Sequence, residues 1–139
     1  MILVDTNVLL DVFEDDAEWS DWSQDRLDSA SATDTLAINP IIYSELSIGF
    51  ARIEELEAVI KEASLAIEDI PREALFLAGK AFLRYRRSRG TKRGVLPDFY
   101  IGAHAAITGY RLLTRDVRRY RTYFPTIDII APPQADETA

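Results

Sequence analysis

The chain has 139 residues, 47% of them hydrophobic and 28% charged, with a formal net charge of −7. That is the length of one domain and an ordinary globular mix, so disordered and fibrous classes are excluded and a core forms without staples. No cysteine is present and His104 is the single histidine, which excludes disulfides, thiolate nucleophiles, Cys-based zinc and a two-histidine acid–base pair, and leaves any chemistry to oxygen groups.

In chain order, Ile2-Leu3-Val4 reads as a short buried strand ending at Asp5, and Val8-Leu9-Leu10 resumes an apolar pattern. The start lacks basic residues and is broken by acid, so no leader is expected. No apolar run approaches the ~18–20 residues of a membrane span, and the expected location is the cytoplasm. A helix is predicted over 16–31, with Trp19, Trp22, Arg26 and Leu27 as its stripe, then a strand over 35–38. Asn39-Pro40 supplies an N-cap and a first-turn proline for a helix over 41–50. A helix over 52–64 follows, with Ile53, Leu56, Val59 and Ile60 at helical spacing, then a strand over 66–70. The long helix predicted over 73–89 has Leu75, Leu77, Ala78, Ala81, Phe82 and Tyr85 available for its inner side. Gly90 and Gly94 bracket a basic loop, and Pro97 opens a helix that Gly109 ends as a C′ residue. A strand over 112–114, a short helical turn over 117–123 and a last strand over 127–130 complete the pattern. Short apolar strands alternating with helices imply parallel pairing and an α/β/α sandwich. The expected organisation is one domain over 1–132 and a polar tail over 133–139.

Charge is unevenly distributed. Residues 1–79 carry a net −14, whereas residues 80–121 carry a net +10. A block this basic attracts polyanions locally, because screening confines the field to a Debye length of ~8 Å.

Four acids stand in apolar settings. Asp5 ends the first strand, and Asp116 comes two residues after the strand over 112–114. Glu45 lies on the apolar stripe of its helix between Ile41, Ile42 and Ile48, and Asp98 follows Pro97 at a helix start. Buried acids are expensive unless paired, hydrogen-bonded or metal-bound. In an open parallel sheet, functional groups gather at the carboxyl ends of strands, so all four are expected on one edge. Like charges crowded there need a counter-cation. A hard divalent ion with oxygen ligands, Mg²⁺ or Mn²⁺, answers that need, and metal-activated water attacking a phosphodiester is the chemistry it best serves. Asp128, flanked by Ile127 and Ile129, shows that apolar neighbours alone do not make a site.

The ordered set Val4-Asp5-Thr6-Asn7, Tyr43-Ser44-Glu45-Leu46, Leu96-Pro97-Asp98-Phe99 through His104-Ala105, and Leu113-Thr114-Arg115-Asp116 resembles PIN-domain ribonucleases. More narrowly, it resembles the VapC toxins of toxin–antitoxin pairs, over nearly the whole chain. The resemblance implies a PIN-like three-layer α/β/α sandwich with a mostly parallel central sheet, and a Mg²⁺-dependent endoribonuclease, with Mn²⁺ as substitute. It implies that Asp5, Glu45, Asp98 and Asp116 form the catalytic and metal-binding cluster, Asp5 and Asp98 foremost. Thr6, Asn7 and Thr114 would orient those carboxylates, and His104 is expected to be packed or hydrogen-bonded. Arg84, Arg86, Arg87, Arg89, Lys92 and Arg93 are the candidate RNA contacts. The implied partners are a cognate VapB-type antitoxin, for which Trp19 and Trp22 are candidate anchors, an RNA substrate and a second copy of the chain; no membrane is implied.

Other acid-first folds fit less well. A haloacid-dehalogenase-like phosphatase wants a second Asp where Asn7 stands, a receiver domain wants a partnered lysine, and no phosphate-cradling glycine loop is present. A PIN-like module that binds RNA or protein without cutting is the alternative.

Overall fold

The computed structural model describes residues 1–88, 90–92 and 94–133. In chain order the elements are β1 (Ile2–Val4), α1 (Thr6–Phe13), α2 (Ser20–Thr33), β2 (Leu36–Ile38), α3 (Pro40–Ser47), α4 (Ile53–Glu62), β3 (Ala66–Ile67), α5 (Arg72–Arg87), α6 (Leu96–Thr108), β4 (Arg111–Leu113), α7 (Arg118–Tyr123) and β5 (Ile129–Ile130). The polar tail expected from residue 133 lies, from 134 onward, outside the described residues.

Strand order is β3-β2-β1-β4-β5 and every pairing is parallel, so the sheet is more uniformly parallel than the expected mixture. Its central strands are continuous apolar runs because both faces are covered: Ile2, Leu3 and Val4, with Leu112 and Leu113 beside them, are fully buried. Each such side chain contributes roughly 1.5–3 kcal/mol of burial. The chain leaves β1 for β2 and β3, then returns across it to β4 and β5. The switch point therefore lies between β1 and β4, where the crevice of such a sheet forms.

Several predicted elements shift. Val8-Leu9-Leu10 belongs to a helix, α1, that begins immediately after β1 and is capped by Asp5. The helix expected from Asp16 starts at Ser20 instead, because the Asp16 carboxylate accepts the backbone N–H groups of Glu18 and Trp19 at 2.9 Å each and holds a turn. α3 stops at Ser47, leaving Ile48 exposed. On α4, Leu56 and Ile60 face the core while Ile53 faces solvent, and on α5 the buried row is Ala74, Ala78 and Ala81, with Leu75 outside. The strands predicted over 66–70 and 127–130 each shorten to two residues.

α6 is the buried centre of one layer. Phe99 meets Phe82 and Tyr85 of α5, Tyr123 of α7 and Phe124, with ring centroids 5.2–6.1 Å apart. Gly102 permits this approach, since a Cβ there would lie 2.5 Å from the Phe124 ring. Gly109 ends α6 in the left-handed region, φ 78°, as its sequence position predicts. Among the described residues no helix is long and apolar enough to cross a membrane.

Candidate active site

The register of β1 on β4 pairs Val4 with Leu113, which brings the residues just beyond each strand, Asp5 and Thr114, side by side. The Asp5 backbone N–H donates to the Leu113 carbonyl at 2.9 Å. The Asp5 carboxylate accepts three hydrogen bonds: Oδ1 accepts the Thr6 backbone N–H at 2.8 Å, and Oδ2 accepts the Thr114 hydroxyl at 2.8 Å and the Tyr120 phenol at 2.9 Å. Asp5 is 5% exposed.

α6 precedes β4 and so starts at the same sheet edge, which places Asp98 in its first turn beside the cleft. Glu45 arrives on α3, whose N-cap Asn39 directly follows β2. Its Oε1 accepts the Thr6 hydroxyl at 2.6 Å. Asp116 follows β4 and is exposed. The four acids predicted from sequence thus line one cleft of about 120 Å³, together with Thr6, Asn7, Arg119 and Tyr120.

Burial, with the Asp98 charge adding, pushes the Asp5 carboxyl up to about 7 against the hydrogen bonds from Thr114, Tyr120 and Thr6. Burial also raises Asp98, opposed by the Arg119 guanidinium that is ion-paired to it. The Tyr120 phenol is held well above its ordinary value by burial and by Asp5. The cleft has more negative charge than its own groups neutralise. Its donors are oxygens, a set that suits a hard divalent cation. Among the described residues, no group of three or more acidic or histidine side chains is gathered tightly enough to hold an ion as it stands; Arg119 engages Asp98 and Thr6 engages Glu45.

The three predicted orienting residues act as hydrogen-bonding groups. Thr114 donates to Asp5 and accepts from the Asp116 backbone N–H at 3.1 Å; Asn7 donates to Thr114 at 3.4 Å and accepts the Arg115 backbone N–H at 3.3 Å. His104 is buried away from the cleft. Asn39 accepts the Ile42 N–H through Oδ1, so its amide nitrogen faces His104 Nδ1 at 3.1 Å. Burial lowers the pKa of that imidazole and favours its neutral form.

The predicted basic contacts divide. Lys92 lines a groove adjoining the cleft. Arg84, Arg86 and Arg87 are exposed on the last turns of α5 and line neither space. Arg89 and Arg93 lie outside the described residues. Sequence reasoning gave no role to Tyr120, Arg119, or the pair of Arg115 with buried Asp11, whose contacts are 2.6 and 2.9 Å. Tyr120 is flanked by arginines, so no apolar signal marks it as buried. Asp11, inside the apolar run of α1, had the same signal that singled out Glu45.

Chains in three solved structures are similar to this one over nearly its whole length. VapBC2 from Rickettsia felis bound to a promoter DNA fragment gives a TM-score of 0.72 at 20% identity, covering 95% of this chain and 99% of that one. VapBC-1 from nontypeable Haemophilus influenzae gives 0.70 at 18%, covering 94% and 98%. DNA-bound VapBC from Salmonella typhimurium gives 0.69 at 21%, covering 94% and 96%. A search of curated proteins returns no match. At these identities the structural likeness speaks for the fold, and the family is fixed by the sequence itself: residues 2–125 match the PIN domain, and the chain belongs to the PIN domain family.

Proposed function

We propose that this protein is a metal-dependent endoribonuclease of the VapC type, the toxin of a type II toxin–antitoxin pair. One observation carries the reading: four carboxylates from four separate segments line one cleft at the switch point of a parallel sheet, beside a groove that carries Lys92, Arg115, Arg118 and Arg119. Asp5 and Asp98 would hold Mg²⁺ or Mn²⁺, with Asp116 and Glu45 completing the acidic set; the bound ion would supply activated water and neutralise charge on the phosphate.

This chain's own residues do the positioning. Thr6, Thr114 and Tyr120 fix the Asp5 carboxylate through three donors, so it meets a ligand in one orientation. Thr6 also aims Glu45 at the cleft. Burial of Asp5 raises the energy of its unneutralised charge, which favours cation uptake. Arg119 is ion-paired with Asp98, and a bound cation would compete with it for that carboxylate.

The antitoxin belongs to the same proposal, because the similar structures are VapBC complexes. Trp19 and Trp22 are not one open apolar face: they meet edge to face at 6.0 Å, Trp22 packs on the core, and the Arg115 guanidinium lies over Trp19. An apolar groove of about 800 Å³ beside α1, α2 and α4, including Leu9, Phe13, Leu27, Phe50 and Leu65, suits an apolar antitoxin segment better. Exposed Leu75, Phe76 and Leu83 on α5 support self-association.

The test is a titration of Mg²⁺ and Mn²⁺ against cleavage of a mixed RNA pool, with EDTA, Asp5→Asn and Asp98→Asn as controls. Metal-dependent cutting that both substitutions abolish is expected; wild-type rates in either folded variant would overturn the assignment. The hold of Arg119 on Asp98 favours a second reading, a PIN-like module that binds without cutting, and RNA bound but uncut at saturating metal would select it.

A further inference from the structure

A second, larger groove of about 770 Å³ shares Asp116 and Arg119 with the acidic cleft. Its volume lies within the roughly 300–1,000 Å³ range of ligand pockets. Two features set it apart from an ordinary basic surface.

The first is a fixed flat platform. The Arg115 guanidinium lies 4.9 Å from the centre of the Trp19 ring, and its Nε and terminal nitrogen both donate to Asp11, at 2.6 and 2.9 Å. Asp11 is 3% exposed and also accepts the Ser23 hydroxyl at 2.7 Å. Arg115 is therefore immobilised and already neutralised. Such a cation adds little pull on phosphate, whereas a planar guanidinium held over an indole places two planar groups together that another planar group can join.

The second feature is what surrounds the platform. Tyr85 and Tyr123 also line the groove, with ring centroids 6.2 Å apart. The Tyr85 hydroxyl accepts the Lys92 backbone N–H at 2.9 Å, which ties the basic loop to the groove. Among the described residues neither Lys92 nor Arg118 is ion-paired, and both line the space. Flat stacking surfaces interleaved with available cations are the pattern that holds unpaired bases and tracks their backbone.

Resting on the nuclease reading, we infer that this groove seats an unpaired base of the RNA strand beside the cleaved phosphate, stacked on the Trp19–Arg115 platform, with Lys92 and Arg118 on the adjoining phosphates. A paired base is stacked within its own helix and cannot enter. The seat therefore favours an unpaired nucleotide at that position over a paired one by about the energy of that stack.

The chain has two tryptophans, so each can be followed alone. In EDTA at low salt, where the proposed metal-dependent cutting is blocked, a short unstructured oligoribonucleotide is titrated against wild type, Trp22→Phe and Trp19→Ala while indole fluorescence is read. Trp22→Phe should keep the quenching. Trp19→Ala should lose it and bind about 5- to 150-fold more weakly, the loss of one stacked base. The same strand in a duplex should give no quenching. Undiminished oligonucleotide affinity in folded Trp19→Ala, or equal quenching by duplex, overturns the seat while leaving the nuclease reading intact. So does a Trp19→Ala variant that loses only affinity for a protein partner, which would make the groove a protein-docking surface. Wild type that neither binds nor cuts RNA fails the nuclease reading itself. Should Trp19→Ala misfold, Trp22→Phe alone decides: Trp19 emission indifferent to single strands refutes the proposal.

Discussion

Arg119 is the one cation among the eight side chains that line the acidic cleft, and removing it should have opposite effects with and without metal. The perturbation is Arg119→Gln, which keeps length and polarity. The ion pair to Asp98 involves side chains only 19% and 32% exposed, so it falls between surface pairs worth below about 1 kcal/mol and buried pairs whose disruption costs about 3–5 kcal/mol. A loss of about 1–2 kcal/mol is expected in the metal-free protein. With a urea m-value of roughly 2 kcal/mol/M, the midpoint in EDTA should fall by about 0.5–1 M.

A cation that takes Asp98 competes with Arg119 for the same carboxylate, so its affinity is lowered by up to the energy of that pair. Without Arg119 the same 1–2 kcal/mol returns as tighter binding, about 5- to 30-fold for Mn²⁺ by calorimetry. The titration belongs at pH 8, where Asp5 is mostly ionised and proton competition is small. A double-mutant cycle with Asp98→Asn isolates the pair from other effects of losing an arginine. A variant as stable as wild type in EDTA that binds Mn²⁺ no more tightly would refute the claim that Arg119 stands in for the ion.

Glu45→Gln and Asp116→Asn should each cut RNA at a small fraction of the wild-type rate, with Asp116→Asn the more open to rescue by excess Mn²⁺, read by gel assay across a metal series. Tyr120→Phe and Thr114→Val each remove one donor from Asp5 Oδ2 and should lower metal affinity about 10- to 100-fold; unchanged calorimetric affinity would dismiss their orienting role. Because the folded-state carboxyl of Asp5 sits at about 7 against 3.8 ordinarily, the fold holds that proton more tightly than the unfolded chain does. Metal-free stability should therefore fall as pH rises from about 4 to 7, by at most about 4 kcal/mol, and Asp5→Asn should flatten the profile in urea melts. Neutralising Arg84 and Arg87 should flatten the salt dependence of RNA affinity by about 0.7 for each phosphate no longer neutralised, and an unchanged slope would reduce them to a solvated face.

Legibility in the sequence followed the physics of each signal. The sheet was readable because strands buried on both faces must be apolar throughout, and Ile2-Leu3-Val4 and Leu112-Leu113 are. The acids of the cleft were readable for the converse reason: a carboxylate in such a setting demands an explanation. The apolar pattern of Val8-Leu9-Leu10 did not by itself declare α1, because Asp5 serves twice, as the residue ending a strand and as the cap starting a helix, and a strand-to-helix junction without a loop leaves no punctuation. Trp19 and Trp22 share a face only if the helix begins before them, and the Asp16 turn removes that premise. Arg119 and Tyr120 were hidden in a run of arginines, where composition says solvent and only the third dimension distinguishes one position from the next.

The geometry that matters most is set by hydrogen bonding rather than by the acids themselves. Asp5 and Thr114 are 109 residues apart, and they meet because Val4 pairs with Leu113. A slip of one residue would turn every β4 side chain to the opposite face; in the direction that pairs Val4 with Leu112 it would put Leu113 in place of Thr114 beside Asp5, a methyl-rich side chain where a hydroxyl donor is needed. The fully buried leucines of β4 make that slip costly, since each would have to leave its own packed face. The apolar strands therefore do more than stabilise the fold. Their register fixes which polar residue lies beyond each strand end, and so fixes how the most buried carboxylate of the cleft is presented.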